Sequence, residues 1–227
     1  MKRHSRERLQ QREFGFTNWG GKRRGAGRKP KGERAGMSHA KRPRLHRRYP
    51  VLVTLKLRSG LRTLRSDDAH EVIKRAFAAS CDNDELRVIE YSIQSNHLHL
   101  VAEACDERGL SRGMAGLAVR IARGLNRAWK GAGKVFADRY HARILTTPRA
   151  VRIALIYCIN NARKHGSWLA KMPDVFSSGP WFDGWKGAVR TSADSSPRWL
   201  ARARSWLLSI GWRRHGLIDP CEAPAPG

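Results

Sequence analysis

From His97 to Leu100, histidine and leucine alternate, and that alternation constrains this chain more than any other stretch. Side chains on a strand point to opposite faces in turn, so His97, His99 and Val101 share one side while Leu98 and Leu100 share the other. The leucines belong to a core and the imidazoles to a site. The preceding Arg87-Val88-Ile89-Glu90-Tyr91-Ser92-Ile93 is rich in β-branched and aromatic residues and ends at Gln94-Ser95-Asn96, so it reads as the hairpin partner. Two neutral imidazoles side by side suit a divalent ion when second partners hold them. The same spacing also describes an ordinary sheet surface.

A second stretch follows. Thr147 caps a helix with Pro148 at its first position, and Gly166 ends it. Val151, Leu155, Cys158, Ile159 and Ala162 make an apolar stripe at helical spacing. Tyr157 and Asn161 stand one turn apart on its flank. The phenol is either an amphipathic residue at the edge of a core or a nucleophile with an amide beside it.

The other elements are a strand over Tyr49 to Leu57, a helix over Asp67 to Ser80 capped by Ser66, strands over Glu85 to Ile93 and His97 to Glu103, a helix over Leu110 to Lys130, and a strand over His141 to Leu145. This order predicts an α+β fold, a ferredoxin-like split β-α-β domain whose antiparallel sheet carries helices on one face. The helix bearing Tyr157 is additional, and must cross to the sheet face that holds His97 and His99.

Charge names the partner class. The 227 residues hold 45 Lys+Arg against 19 Asp+Glu, a formal charge of +26, which attracts polyanions and speeds salt-sensitive association with nucleic acid. No apolar run is long enough for a bilayer and no signal-peptide core opens the chain, so no membrane partner and a cytoplasmic location are expected. Cys81, Cys105, Cys158 and Cys221 form no paired motif and are expected reduced. Residues 1–48 carry 17 basic and 3 acidic residues and read as a flexible basic arm. Within it, Arg28, Lys29 and Lys31 either lie in a minor groove in the manner of an AT-hook or bind phosphates without sequence preference. Arg120, Arg123 and Arg127 on the long helix either track a phosphate backbone or form a solvated face.

Residues 167–227 form a Trp- and Arg-rich extension holding six of the eight tryptophans. A helix is expected from Ser196-Pro197 to Gly211, with Trp199 and Trp206 facing inward, and the segment from Asp219 onward reads as a loose end. The extension is either a packing lid or a platform that stacks unpaired bases between arginines, with Trp181 and Trp185 as the stacking pair.

Three segments in order carry a resemblance. Ser95-Asn96-His97-Leu98-His99-Leu100 resembles the histidine-hydrophobe-histidine motif of HUH single-tyrosine transposases, Phe136-Ala137-Asp138-Arg139-Tyr140-His141-Ala142-Arg143 their basic-aromatic segment, and Tyr157-Cys158-Ile159-Asn160-Asn161 their tyrosine signature. The branch most resembled is the REP-associated tyrosine transposases, over roughly residues 48–166, which sets the catalytic domain at 49–166. Ala162 stands where that signature usually has proline, and Gln94-Ser95 where Met-Pro usually precedes the asparagine.

The resemblance implies a metal-dependent single-stranded DNA endonuclease and strand transferase acting on hairpin-bearing DNA. His97, His99 and Asn161 would hold Mg²⁺ or Mn²⁺, and Tyr157 would attack the scissile phosphate to leave a 5′-phosphotyrosine and a 3′-OH. Arg139, Arg143 or Lys164 would supply positive charge, and Glu103, which shares strand parity with the histidines, is a reserve ligand or base. Tyr91 and Tyr140 are rival nucleophiles without an asparagine four residues on. A nucleoid-associated bacterial protein, monomeric or homodimeric, is implied. The rival functions are a non-catalytic DNA- or RNA-binding protein, a water-activating metal hydrolase, and a ribosome-associated basic protein.

Overall fold

The computed structural model describes residues 42–80, 84–164, 172–187, 189, 197 and 199–224. The stretch with Arg28, Lys29 and Lys31 lies outside them, as does Gly166. The described residues belong to one compact unit. It already includes packed residues before position 49: Leu45 is buried and its backbone N–H donates to the Glu107 carboxylate.

The elements β1 (Val51–Lys56), α1 (Asp67–Ala78), β2 (Leu86–Ile93), β3 (His97–Ala104), α2 (Glu107–Ala128) and β4 (His141–Ile144) follow in the expected order. The strands line up as β2-β3-β1-β4 with every neighbour antiparallel. β3 thus separates β1 from β2, the split that defines the ferredoxin-like arrangement.

One face of this sheet is a closed apolar core. Val53 and Leu55 of β1, Tyr91 and Ile93 of β2, and Leu98 and Leu100 of β3 meet Ile73 and Phe77 of α1 and Met114, Leu117 and Ile121 of α2. α2 lies close to the sheet and to α1 because it carries glycine at both contacts: a Cβ at Gly113 would run into Leu86 of β2, and one at Gly124 into Val72 of α1. Asp106 begins α2 by accepting from the Gly109 N–H at 2.6 Å, earlier than the expected start at Leu110.

The opposite face is covered by α3 (Pro148–Ile159) and by the C-terminal residues. Thr147 Oγ1 accepts from the Ala150 N–H, with Pro148 in the first turn, as the sequence predicts. Val151, Leu155 and Ile159 pack on Ile89 and Val101 of the sheet and against Phe182, Trp185 and Trp212. The helix does not run on as one piece. It stops at Asn160 (φ −100°, ψ 13°), whose side-chain amide donates to the carbonyls of Asp219 and Glu222 at 3.2 and 2.9 Å, and a single turn, α4 (Asn161–Lys164), follows.

The C-terminal segment departs from expectation twice. In place of a helix from Pro197 to Gly211 there is one turn, α5 (Trp206–Ser209), and a 3-10 turn over Gly211–His215. The N–H groups that an earlier helix would need are engaged elsewhere: Ala201 donates to the Val88 carbonyl, and Arg204 and Ser205 donate to the Glu103 carboxylate. Nor are residues 219–222 loose. The Glu222 carboxylate takes both ends of the Arg152 guanidinium at 2.8 and 2.9 Å, and Arg152 also donates to the carbonyls of Gly216 and Leu217. Residues 174–178 cover the outer edge of β2, with Ile93 N–H donating to Phe176 and Ser178 N–H to Tyr91. Asp174 is clamped there by a bidentate bond from Arg65 at 2.7 and 2.9 Å.

Candidate active site

Strand register builds the site in rows across the sheet face under α3. In the first row Lys56 stands opposite His97. In the second, Ser92, His99, Thr54 and His141 stand side by side on four strands. In the third come Glu90, Val101, Leu52 and Arg143. The bulge after Val88 lets Ile89 and Glu90 both face this side. Only the histidines could be assigned from local sequence. Thr54 and Lys56 could have been found by counting outward from the inward-facing Val53 and Leu55, but the pairing of Thr54 with His99 needs the fold.

Each imidazole is oriented through its Nδ1. His97 Nδ1 donates to the Asn96 side-chain oxygen at 2.7 Å, and His99 Nδ1 shares a hydrogen bond with Thr54 Oγ1 at 3.0 Å. This leaves Nε2 as the nitrogen each ring would turn to an ion. The two rings lie edge to face, 4.6 Å between centroids, with His99 only 2% exposed and His97 half-buried. α3 crosses above them, fixed by a long contact from Cys158 Sγ to the His99 carbonyl at 3.7 Å. Burial pushes the Cys158 thiol up, so it stays protonated and apolar. One residue earlier on the helix, the half-buried Tyr157 ring stands edge to face with His99 of its own chain, centroids 4.8 Å apart.

Asn161 begins the turn beyond α3 and is fully buried, its amide donating to the Tyr157 carbonyl at 3.1 Å. Its Oδ1 has no hydrogen-bond partner among the described residues. Such a buried acceptor is costly unless something satisfies it. No group of three or more His, Cys, Asp or Glu side chains is placed to hold an ion among the described residues. A site here would therefore combine two imidazoles with the amide oxygen, a mixed nitrogen–oxygen set that fits a first-row divalent ion such as Mn²⁺ better than Mg²⁺, with water completing the shell.

The rival tyrosines are elsewhere. Tyr91 is wholly buried on the α1/α2 face, where its hydroxyl meets His70 Nε2 at 3.0 Å and burial pushes its pKa above the usual range. Tyr140 is buried beneath the Arg42 guanidinium, which lies 3.7 Å from the ring centre.

Residues 46–157 match the family model described as IS200-like transposase, a span that runs from the start of the folded body to the tyrosine itself. Over that span, 112 of its 227 residues, the chain is similar to IS200-like transposases. Among curated proteins none matches. A solved REP-associated tyrosine transposase bound to a REP hairpin is similar over 63% of this chain and 82% of its own, at 15% identity and a TM-score of 0.49. A candidate transposase from Deinococcus radiodurans is similar over 60% of this chain and 99% of its own, at 13% identity and a TM-score of 0.37.

Of the other expected site residues, only some stand near the histidines. Glu103 is no reserve ligand. It lies four residues beyond His99 on β3, 4% exposed, its carboxylate spent on the N–H groups of Arg204 and Ser205 and on Arg87 Nε at 3.6 Å. Arg143 is exposed on the site face, in the row next to His99, whereas Arg139 precedes β4, its N–H donating to the Asp138 carboxylate. The Lys164 side chain lies outside the described residues. Arg120, Arg123 and Arg127 are exposed on α2, which covers the opposite face of the sheet, so they do not border the histidines. Trp185 is not a stacking surface. It is 6% exposed, its indole N–H donates to the Gly179 carbonyl at 2.9 Å, and it packs edge to face with Phe182. Trp181 is half-buried, edge to face with Trp199. No helix of the described residues is long and apolar enough to cross a membrane.

Proposed function

We propose that this transposase-like chain cuts and rejoins single-stranded, hairpin-bearing DNA through a covalent bond between Tyr157 and the 5′ phosphate. The observation that carries the reading is the approach of the Tyr157 ring to within 4.8 Å of His99, brought about within one chain by α3. In-line attack by Tyr157 Oη forms the new P–O bond and breaks the bond to the 3′ oxygen, which leaves with a proton as a free 3′-OH. Because the phosphotyrosine retains the diester's energy, a second 3′-OH can reverse the step and join strands without another energy source.

His97, His99 and Asn161 would hold Mg²⁺ or Mn²⁺, which when bound neutralises charge on the phosphate oxygens. Asn96 and Thr54 keep the two imidazoles turned correctly. Lys56 and Arg143, exposed in the rows on either side of His99, bring fixed positive charge to a phosphate laid across this face. The half-buried setting of Tyr157 holds the phenol rigidly while leaving it reachable.

The test is denaturing electrophoresis after incubating the protein with hairpin-bearing single-stranded oligonucleotides and Mn²⁺. A protein–DNA band is expected from the wild type, absent with Tyr157→Phe and absent with chelator. Binding without that band in the wild type would reduce the protein to a DNA- or RNA-binding module. Cleavage that survives Tyr157→Phe would make it a water-activating hydrolase.

A further inference from the structure

A cavity of about 440 Å³ opens on the α3 side of the sheet, one row beyond His99. Glu90 lines it and lies two residues along β2 from Ser92, the partner of His99, a step of roughly 7 Å on a strand. Leu155, two residues before Tyr157 on α3, forms part of the wall. Phe182 and Trp212 form its floor, stacked on each other at 5.6 Å and 27° and only 5% and 1% exposed, so the aromatic surface it offers is that of the half-buried Trp181. The polar residues that line it are Glu90, Ser178, Arg202, Ser209, and Arg213 paired with Asp183.

The half-buried indole of Trp181 asks for a flat ring, the Glu90 carboxyl asks for a hydrogen-bonding edge, and Arg202 asks for an anionic tether. We propose that this cavity receives one unpaired nucleobase beside the scissile phosphate, its edge against the Glu90 carboxyl. The proposal rests on the reading of Tyr157 as the strand-cleaving nucleophile, because it is that reading which brings a single strand across this face.

The state of the carboxyl agrees with such an occupant. Burial pushes the Glu90 pKa up to about 8 and Asp183 adds to the rise, against an opposing hydrogen bond from Ser178. The shift favours the protonated form at neutral pH, which has one O–H to donate and one C=O to accept. A donor beside an acceptor can meet a donor–acceptor pair on the edge of any of the four bases. The slot would then require a base without selecting one.

The experiment uses the full chain and two twelve-nucleotide strands of equal charge, oligothymidylate and an abasic analogue, compared by fluorescence anisotropy at fixed salt. Wild type is expected to prefer oligothymidylate about tenfold or more. Glu90→Ala and, independently, Ser209→Trp at the cavity wall should each cut that preference at least threefold while affinity for the abasic strand stays unchanged. Equal binding of the two strands by wild type, or a preference that survives both substitutions, overturns the proposal. A second measurement needs no variant: photo-crosslinking of wild type to oligothymidylate carrying 5-iodouracil, with the adducts mapped by mass spectrometry. Adducts on peptides holding Trp181 or Trp212 support the cavity, and adducts confined to other peptides sink it. Scoring the Tyr157 adduct on the same strands separates the two readings, since cleavage without a crosslink in the cavity defeats only the base slot.

Discussion

The two faces of the sheet solve different problems with the same strands. Toward α1 and α2, nearly every inward side chain is aliphatic or aromatic, and the one polar contact of note, His70 with the Tyr91 hydroxyl, is internally satisfied. Toward α3, apolar packing occupies one half of the surface and a row of Ser92, His99, Thr54 and His141 the other. The first face can be kept intact by any residue of suitable size and period. The second depends on particular groups held at particular angles, by Asn96, Thr54 and the amide of Asn161. Core packing and the proposed chemistry thus fall to alternate residues of one strand.

Adjacent residues of β3 test that division most directly. His97→Ala should lower formation of the Tyr157–DNA adduct on the order of 100-fold and leave the melting temperature within about 2 °C. Leu98→Ala, one residue on, should cost about 2–5 kcal/mol in urea unfolding while the adduct still forms well below the melting point. Equal losses of activity from both would break the contrast. Next comes the clamp that ties the covering segment to the sheet. Arg65→Ala leaves the Asp174 carboxylate, 2% exposed, without its counter-ion and should cost about 3–5 kcal/mol. A single transition in that variant would mean the two faces unfold together, and a split one that they do not.

A smaller effect follows from pH. Burial lowers the His70 pKa from 6.5 to about 4, so its contribution is present above 6.5 and lost as pH falls through 4. The Glu90 shift, from 4.5 to about 8, has the opposite sense: its contribution is present below 4.5 and lost as pH rises through 8. Between about 4.5 and 6.5 the two slopes oppose each other. Above 6.5 only Glu90 acts, and Glu90→Gln should hold its melting temperature there while wild type falls by roughly 3 °C. Parallel curves for the two proteins would remove Glu90 from this account. The smallest change expected is from Glu222→Gln, which weakens a partly exposed ion pair with Arg152 and should cost about 1 kcal/mol.

What could be read from the sequence divides along the same line. The alternation of His97-Leu98-His99-Leu100 and the helical stripes of α1 and α2 give the sheet order's ingredients, because period alone tells a strand from a helix and its inner face from its outer. Glu103 shows where that logic stops. It has the parity of the histidines, yet parity says nothing of distance along a strand, and the carboxylate serves the N–H groups of Arg204 and Ser205, 101 and 102 positions away. The tryptophan spacing after Pro197 likewise fits a helix, but N–H groups taken by Val88 and Glu103 forestall it. Trp185 reads as a loop aromatic and is a core residue for a similar reason: beyond its neighbour Phe182, it is tied by a strand bridge to the distant Ile218.

The interruption at Asn160 gives the molecule two adjustments where an unbroken helix would allow one. The phenol's position is dictated by how the apolar side of α3 beds against the sheet, whereas the amide that follows it hangs from a joint gripped by the carbonyls of Asp219 and Glu222. Substitutions in that distant tail would therefore act first on the backbone that carries the Asn161 amide, and reach the Tyr157 ring only through the amide's bond to the Tyr157 carbonyl.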